Sequence, residues 1–363
     1  SSKRRLQMPP NFSAVAKSTV SAFTYRKPTA FSSSEDKAHF QVIINHLISE
    51  AQKIDSSSKI LVLTNKAIAE KNNFKQLYKV FDDRYSDVSD RIEDYLRSIQ
   101  ALDVSDLCQL FIKGEFNELI RLVRKGGYII HTVSDKKKLH DIMQEIIANT
   151  NYSVYEAVEL AIYYKLIKRT ETYSNISAAN TNFLEQRNTD EIYQKFKTLY
   201  ENGQNTFSRM KDSLILSSEE EFDSYESLWK RERFIMELFS PQIKFAEVLN
   251  YAKYLDEGTN YITMHKTKGT SIPSVIVVME EYFWNEYDFS LLYKPDARKI
   301  EKQINSQKLI YVACSRAKSN LICLRIITRD ELDHFLSVFP QAEEIQFSEE
   351  EYNGKSGEAS LCS

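Results

Sequence analysis

The stretches YITMHKTKGT (residues 261–270) and KLIYVACSRAKSNL (residues 308–321) decide the fold, because each sets polar and charged side chains at the end of an apolar run. Between them, SVIVVMEEYFW (residues 274–284) carries an unbroken apolar run from Val275 to Met279 that ends in Glu280 and Glu281. A run without alternation is the pattern of a strand covered on both faces. The spacing predicts strands over 262–264, 275–279 and 321–326 with helical periodicity between the last two, hence βαβ units and a mainly parallel sheet. Ligands of such sheets gather at the carboxyl ends of the strands. His265, Lys268, Glu280 and Glu281 are expected there.

Working outward, residues 1–36 hold Pro9, Pro10, Pro28 and the serine run Ser32 to Ser34, and read as an extended connector. Ser32 and Glu35 have the spacing of a capping box for the helix that follows. Phe40, Ile43, Ile44, Leu47 and Ala51 give that helix one buried stripe. The segment ILVLTNKAIAEKNNFKQLYKVF (60–81) then predicts a buried strand over 60–64 that breaks at Asn65 into a second amphipathic helix. Residues 37–86 are accordingly the first part of an α/β domain, and residues 256–347 the second.

Between these parts, residues 87–255 read as a helical insertion, with Pro241 alone interrupting the later half and apolar residues at helical spacing, as in Leu139, Ile142, Met143, Ile146 and Ile147. Ser153 with Glu156 marks a helix start, and the Asn-, Ser- and Thr-rich stretch 170–189 predicts a loop. Aromatic residues here could serve as stacking platforms for bases or as ordinary helix core. Gly126 and Gly127 could cradle a phosphate or cap a helix. Beyond 326, a short helix over 331–339 and a strand over 344–347 complete the fold, and the acidic tail 348–363 reads as disordered.

The 363 residues suffice for two domains of about 100–200 residues. A net charge of -3 excludes a global basic field, so nucleic-acid binding has to rest on a local patch or groove. Cys108, Cys314, Cys323 and Cys362 lack CxxC spacing and imply neither a zinc site nor a disulfide framework. With no apolar run near the roughly 18 residues of a membrane span, the expectation is a soluble cytoplasmic protein without membrane partners. Opening on Ser1 without Met, the chain reads as a fragment of something longer.

Thr263, His265 and Lys268 place a hydroxyl, an imidazole and a cation past a strand, and Gly269 permits close backbone approach. That set suits a phosphodiester backbone, or equally a loop with a solvated lysine. Arg316, at the predicted start of a helix between the apolar runs LIYVA and LICL, needs a carboxylate or a phosphate for a partner.

YITMHKTKGT resembles motif V of the UvrD/Rep-like superfamily 1 DNA helicases, roughly T-x-H-x-x-K-G-x-E-[FY]. KLIYVACSRAKSNL resembles their motif VI, roughly L-x-Y-V-A-x-[ST]-R-A-x-x-x-L, and residues 60–81 are similar to the segment that opens their second RecA-like domain. The resemblance covers about 37–85 and 256–343, and it implies a RecA-like (P-loop NTPase) domain split by a helical insertion of the 2B kind. It implies that Arg316 reaches the ATP γ-phosphate as the catalytic arginine, and that Gly269 and Ser271 lie at the nucleotide cleft. Thr263, His265 and Lys268 would contact DNA.

The implied partners are single-stranded and duplex DNA, an amino-terminal RecA-like motor domain in cis or in trans, and a nuclease. The implied substrate is ATP with Mg2+, bound mainly by that absent motor domain. The family pattern has an acidic residue where this chain has Ser271, and an Arg-Arg pair where it has Gln307 and Lys308. No G-x-x-x-x-G-K-[ST] occurs, nor the paired Asp-Glu of a Walker B strand. The segment alone is therefore expected to be inactive, and the full-length protein to be an ATP-dependent helicase of 3'-5' polarity by family analogy. The alternatives are a non-catalytic DNA-binding or partner-docking module derived from such a helicase, and the helicase subunit of a helicase and nuclease complex.

Overall fold

A computed structural model describes residues 14–19, 32–85, 88, 91–149, 151–213, 216, 218–256, 258–265, 271–281, 284–327, 331–340 and 342–344. The chain divides into two compact units, one of residues 1–71 with 257–363 and one of residues 72–256. Lys268, Gly269, residues 345–347 of the strand predicted over 344–347 and the tail 348–363 lie outside the described residues.

The first unit is an α/β layer built on a six-stranded sheet whose described pairings are all parallel. Its strands are β1 (Ala14–Thr19), β2 (Lys59–Val62), β3 (Tyr261–Thr263), β4 (Ile272–Val278), β5 (Ala317–Ile326) and β6 (Glu343–Glu344), in the order β3-β2-β4-β5-β1-β6. The helices of this unit are α1 (Ser34–Gln52), α2 (Asn65–Lys71), α14 (Ile300–Cys314) and α15 (Leu332–Val338). Strands β2, β4 and β5 read as near-continuous apolar runs because both sheet faces are covered. Leu61, Val275, Val277, Leu321 and Cys323 face one core with Leu309 and Ala313 of α14 and Phe335 of α15. α1 packs against β5, with its predicted stripe of Phe40, Ile43, Ile44, Leu47 and Ala51 fully buried.

The second unit is helical: α3 (Lys75–Arg84), α4 (Arg91–Ser98), α5 (Ala101–Lys113), α6 (Phe116–Gly126), α7 (Val133–Ala148), α8 (Val154–Tyr163), α9 (Glu171–Thr189), α10 (Glu191–Glu201), α11 (Phe207–Met210), α12 (Glu219–Leu238) and α13 (Phe245–Leu255). Capping boxes at Thr132 with Asp135 and at Ser153 with Glu156 start α7 and α8 by satisfying otherwise orphaned amides. α6 ends at Gly127, whose φ of 106° is left-handed, and a Cβ on Gly126 would lie 2.1 Å from the Leu166 carbonyl oxygen. The glycine pair is thus a helix cap and a close backbone approach.

Four expectations change. The connector 1–36 contains β1, which pairs with β5 and β6, a long-range pairing that local pattern does not report. The capping box of α1 is Ser33 with Asp36, one residue later than Ser32 with Glu35. Residues 171–189 form a helix, because Thr170 caps the end and Tyr173 and Phe183 are buried along it. The division between the units falls at 71/72, where 86/87 was expected, because α3 packs within the helical unit: the Phe81 ring meets Phe234 edge-on at 5.0 Å.

Candidate functional site

The two quoted stretches come together along the strands of the first unit, but at opposite ends of them. Thr263 closes β3 and is buried at 4% exposure, and the chain then turns through Met264 to an exposed His265 at the carboxyl edge of the sheet. β4 begins at the opposite, amino edge, since β3, β2 and β4 run parallel. Ser271 is exposed at that amino edge, directly before Ile272.

Arg316 sits at the same edge. It does not begin a helix: the run LIYVA continues α14, through buried Leu309 and Ala313, and Arg316 lies in the turn between α14 and β5. The β4–β5 register pairs Ile272 with Ala317, and the Ile272 amide donates to the Arg316 carbonyl at 2.9 Å. That bond sets Ser271, the residue that follows the first quoted stretch, beside Arg316 of the second at neighbouring strand ends. Arg316 is half-buried, and its Nε donates to the Val312 carbonyl at 3.1 Å one turn back along α14.

At the carboxyl edge, a cleft of about 200 Å3 opens between the end of β3 and α14, lined by Met264, His265, Tyr287, Asn305, Lys308, Leu309 and Val312. Its floor is apolar, with Met264 fully buried and Leu309 nearly so. His265 and Tyr287 stand with ring centroids 6.0 Å apart. Lys308 is exposed and makes no ion pair among the described residues. Tyr287 carried no signal in the sequence reading, since it lies in an irregular segment between Glu281 and α14.

Glu280 and Glu281 occupy the carboxyl end of β4 as expected, but they face inward. Arg325, near the carboxyl end of β5 and 2% exposed, donates through Nη1 to the Met279 carbonyl at 2.5 Å and to Glu281 Oε1 at 2.8 Å. Its Nη1 is also 3.9 Å from Glu280 Oε2, while Glu280 Oε1 accepts the Ile326 amide at 2.7 Å. Burial opposes the guanidinium charge, but Glu281 and Glu280 outweigh it and hold Arg325 above the usual arginine range. Burial also pushes the nearby Tyr293 phenol up to about 12. This acidic pair is consumed by an internal ion network, so it offers a ligand little.

In the helical unit, several aromatic rings are core, while Phe116, Tyr155 and Tyr163 are exposed. Tyr193 and Phe196 are fully buried and Phe222 and Phe234 nearly so. Glu232, 4% exposed, accepts from the Tyr193 hydroxyl and from Lys197 Nζ at 2.7 Å, which accounts for a buried carboxylate without a ligand. Among the described residues, no group of three or more His, Cys, Asp and Glu side chains is arranged to hold a metal ion, and no helix is long and apolar enough to cross a membrane.

No protein-family model matches the chain. It is 28% identical over 305 residues to Gabija protein GajB of Bacillus cereus (strain HuB5-5), a match that takes in 76% of this chain and 40% of that protein. The chain therefore spans well under half the length of this curated relative.

Proposed function

We propose that this chain is the second RecA-like half, with its helical insertion, of a Gabija-type ATP-dependent DNA helicase or translocase of the UvrD/Rep kind. The observation that carries the reading is the 2.9 Å bond from the Ile272 amide to the Arg316 carbonyl, which brings the chain just past the first motif-like stretch to Arg316 of the second at one edge of the sheet. The likeness to Gabija protein GajB supports the same assignment from an independent direction.

In this reading Arg316 reaches from the amino edge toward the γ-phosphate of ATP and stabilises charge that builds up in the transition state. The phosphate cradle and the Mg2+ ligands come from an amino-terminal motor domain. Ser271, exposed at the amino edge, and Gly269 serve the nucleotide. His265, exposed at the carboxyl edge just past the buried Thr263, meets the single strand, and Lys268 contacts it as well. A ligand at one edge biases the other only through differential contacts with two states of the domain.

The test is DNA-stimulated ATPase of the full-length protein. Arg316→Ala is expected to abolish turnover and to leave single-strand binding within about twofold, because the side chain acts on the transition state and not on the strand. Turnover equal to wild type would refute the assignment. A full-length protein that binds DNA but has no ATPase in its wild-type form would favour a non-catalytic module.

A further inference from the structure

The helical unit holds a pocket of about 360 Å3 between α8, α9 and α12. One part of its wall is apolar and comes from Tyr155 of α8 with Ile235, Met236 and Phe239 at the end of α12. The Tyr155 and Phe239 rings meet edge-on with centroids 6.4 Å apart, Tyr155 is 47% exposed and Met236 56%. Exposed apolar side chains scattered singly mean little, but these line one concavity.

The polar part of the wall comes from α9, the helix rich in Asn, Ser and Thr. Ser177, Asn180 and Thr181 stand at i, i+3 and i+4, hence on one face. Elsewhere on α9 a hydroxyl bonds back to the preceding turn: Ser174 Oγ donates to the Thr170 carbonyl at 3.0 Å and Thr189 Oγ1 to the Gln186 carbonyl at 3.1 Å. The Ser177 and Thr181 hydroxyls make no hydrogen bond to any described residue. Asn180 Nδ2 donates to the Tyr95 hydroxyl at 3.4 Å, which leaves its Oδ1 as an acceptor.

No Lys, Arg, His, Asp or Glu lines the pocket. A phosphate or an ammonium group would therefore give up hydration there without gaining a charged partner. The volume is that of a site for a small molecule, and the mostly apolar lining with a few polar groups is the usual character of one. Two hydroxyls and a carbonyl spread over about 6 Å of α9 suit the donors and acceptors along the edge of a heterocycle, and the Tyr155, Met236 and Phe239 side chains suit its faces.

We infer that this pocket binds one uncharged, planar heterocycle of the nucleoside class, its faces against Tyr155, Met236 and Phe239 and its edge on Ser177, Asn180 and Thr181. The lack of a cation separates it from the ATP and DNA contacts proposed above, whose ligands are phosphorylated. The pocket is thus independent of the helicase reading.

The test is equilibrium dialysis of radiolabelled adenosine, guanosine, cytidine and uridine against the full-length protein, with a non-hydrolysable ATP analogue in excess to occupy the nucleotide cleft. At least one nucleoside is expected to bind once per chain, and its 5′-monophosphate about tenfold more weakly or worse. Ser177→Ala combined with Thr181→Val, which leaves no buried polar group unpaired, is expected to weaken that nucleoside about tenfold. Tyr155→Ala, at an exposed position, is expected to weaken it about fivefold or more. No nucleoside bound at about 1 mM, a monophosphate that binds as well as its nucleoside, or either variant binding as wild type would each overturn the inference. A wild-type protein without ATPase would overturn the helicase reading and leave these expectations unchanged.

Discussion

Arg316, before the first residue of β5, is half-buried and directs Nε to a backbone carbonyl, whereas Arg325, next to the last residue of the same strand, is 2% exposed and sits against two carboxylates. The two arginines are one strand apart and have different surroundings. A guanidinium held at the surface edge of a sheet can meet an incoming anion, while one enclosed by Glu280 and Glu281 is already spent on its neighbours. Burial and carboxylate partners, and not residue type, separate the arginine proposed to act on ATP from the arginine enclosed in the fold.

The comparison breaks most readily at Arg316. In the full-length protein, Arg316→Ala is expected to lower kcat for ATP by about 10^3-fold or more, the usual range for an arginine that stabilises phosphoryl transfer. Its melting temperature should stay near wild type, as expected for a half-buried position with backbone contacts. A large loss of stability with ATPase per folded molecule intact would reverse the roles drawn here.

Arg325→Met is expected to do the opposite. It leaves Glu280 and Glu281 buried without their cation, at a cost of about 3–5 kcal/mol in unfolding free energy, measurable by urea titration. A change under about 1 kcal/mol would show that the enclosed network is not structural. Removing all three charges together, as Arg325→Met with Glu280→Gln and Glu281→Gln, should recover part of the loss, because no uncompensated charge remains.

How far this contrast was legible in the sequence follows from what each arginine depends on. Arg316 was visible because a motif carries it, yet its setting was misread: SRAK between two apolar runs fits a helix start as well as a helix end, and only pairing with β4 makes Ala317 the start of a strand. Arg325 was not singled out, because the carboxylates that define it lie over 40 positions away. Tyr287 was invisible for another reason: it lies in an irregular segment without periodic pattern, fixed through the Asp288 and Phe289 amides by Ser306 and Glu281. Local signals did better: Ser153 with Glu156 starts a helix as its spacing predicts, and of the two readings open for Gly126 and Gly127 the helix cap is the one observed. They did worse where two registers fit equally, as in the serine run before α1, or where a polar helix carries few buried rings, as in α9.

A third substitution separates stability from chemistry in the other unit. In Gly126→Ala the new Cβ would meet the Leu166 carbonyl oxygen at 2.1 Å, a backbone atom that cannot swing away. Overpacking of this kind costs about 1–3 kcal/mol, so unfolding should shift while ATPase per folded full-length molecule stays at wild type. Lost turnover at full stability would mean that the helical unit takes part in the chemistry and that the contrast between the arginines tells only part of the story.

The smallest expected effect concerns the charge of the amino edge itself. Asp55, in the turn before β2, accepts from the Ser57 hydroxyl at 2.6 Å and from the Ser57 amide at 2.9 Å. The Ser57 hydroxyl first, then Ser274 of β4, the Ser57 amide and Asn320 of β5, hold its carboxyl down at about 2. Because the folded value lies below the ordinary carboxylate value of about 3.9, ionised Asp55 favours the folded state above that pH. The contribution fades as pH falls through about 2. At neutral pH Asp55 is therefore a permanent negative charge anchored to the same two strands that carry Ser271 and Arg316 at their amino ends. Ser57→Ala removes the strongest donor, so the Asp55 carboxyl should titrate closer to the ordinary value in a carbon-detected NMR titration, with ATPase at pH 7 unaltered. An unmoved titration would mean that Ser274 and Asn320 hold the carboxylate by themselves. A changed rate at pH 7, where Asp55 is ionised in both proteins, would mean that the turn before β2 acts on Arg316 by position and not by charge.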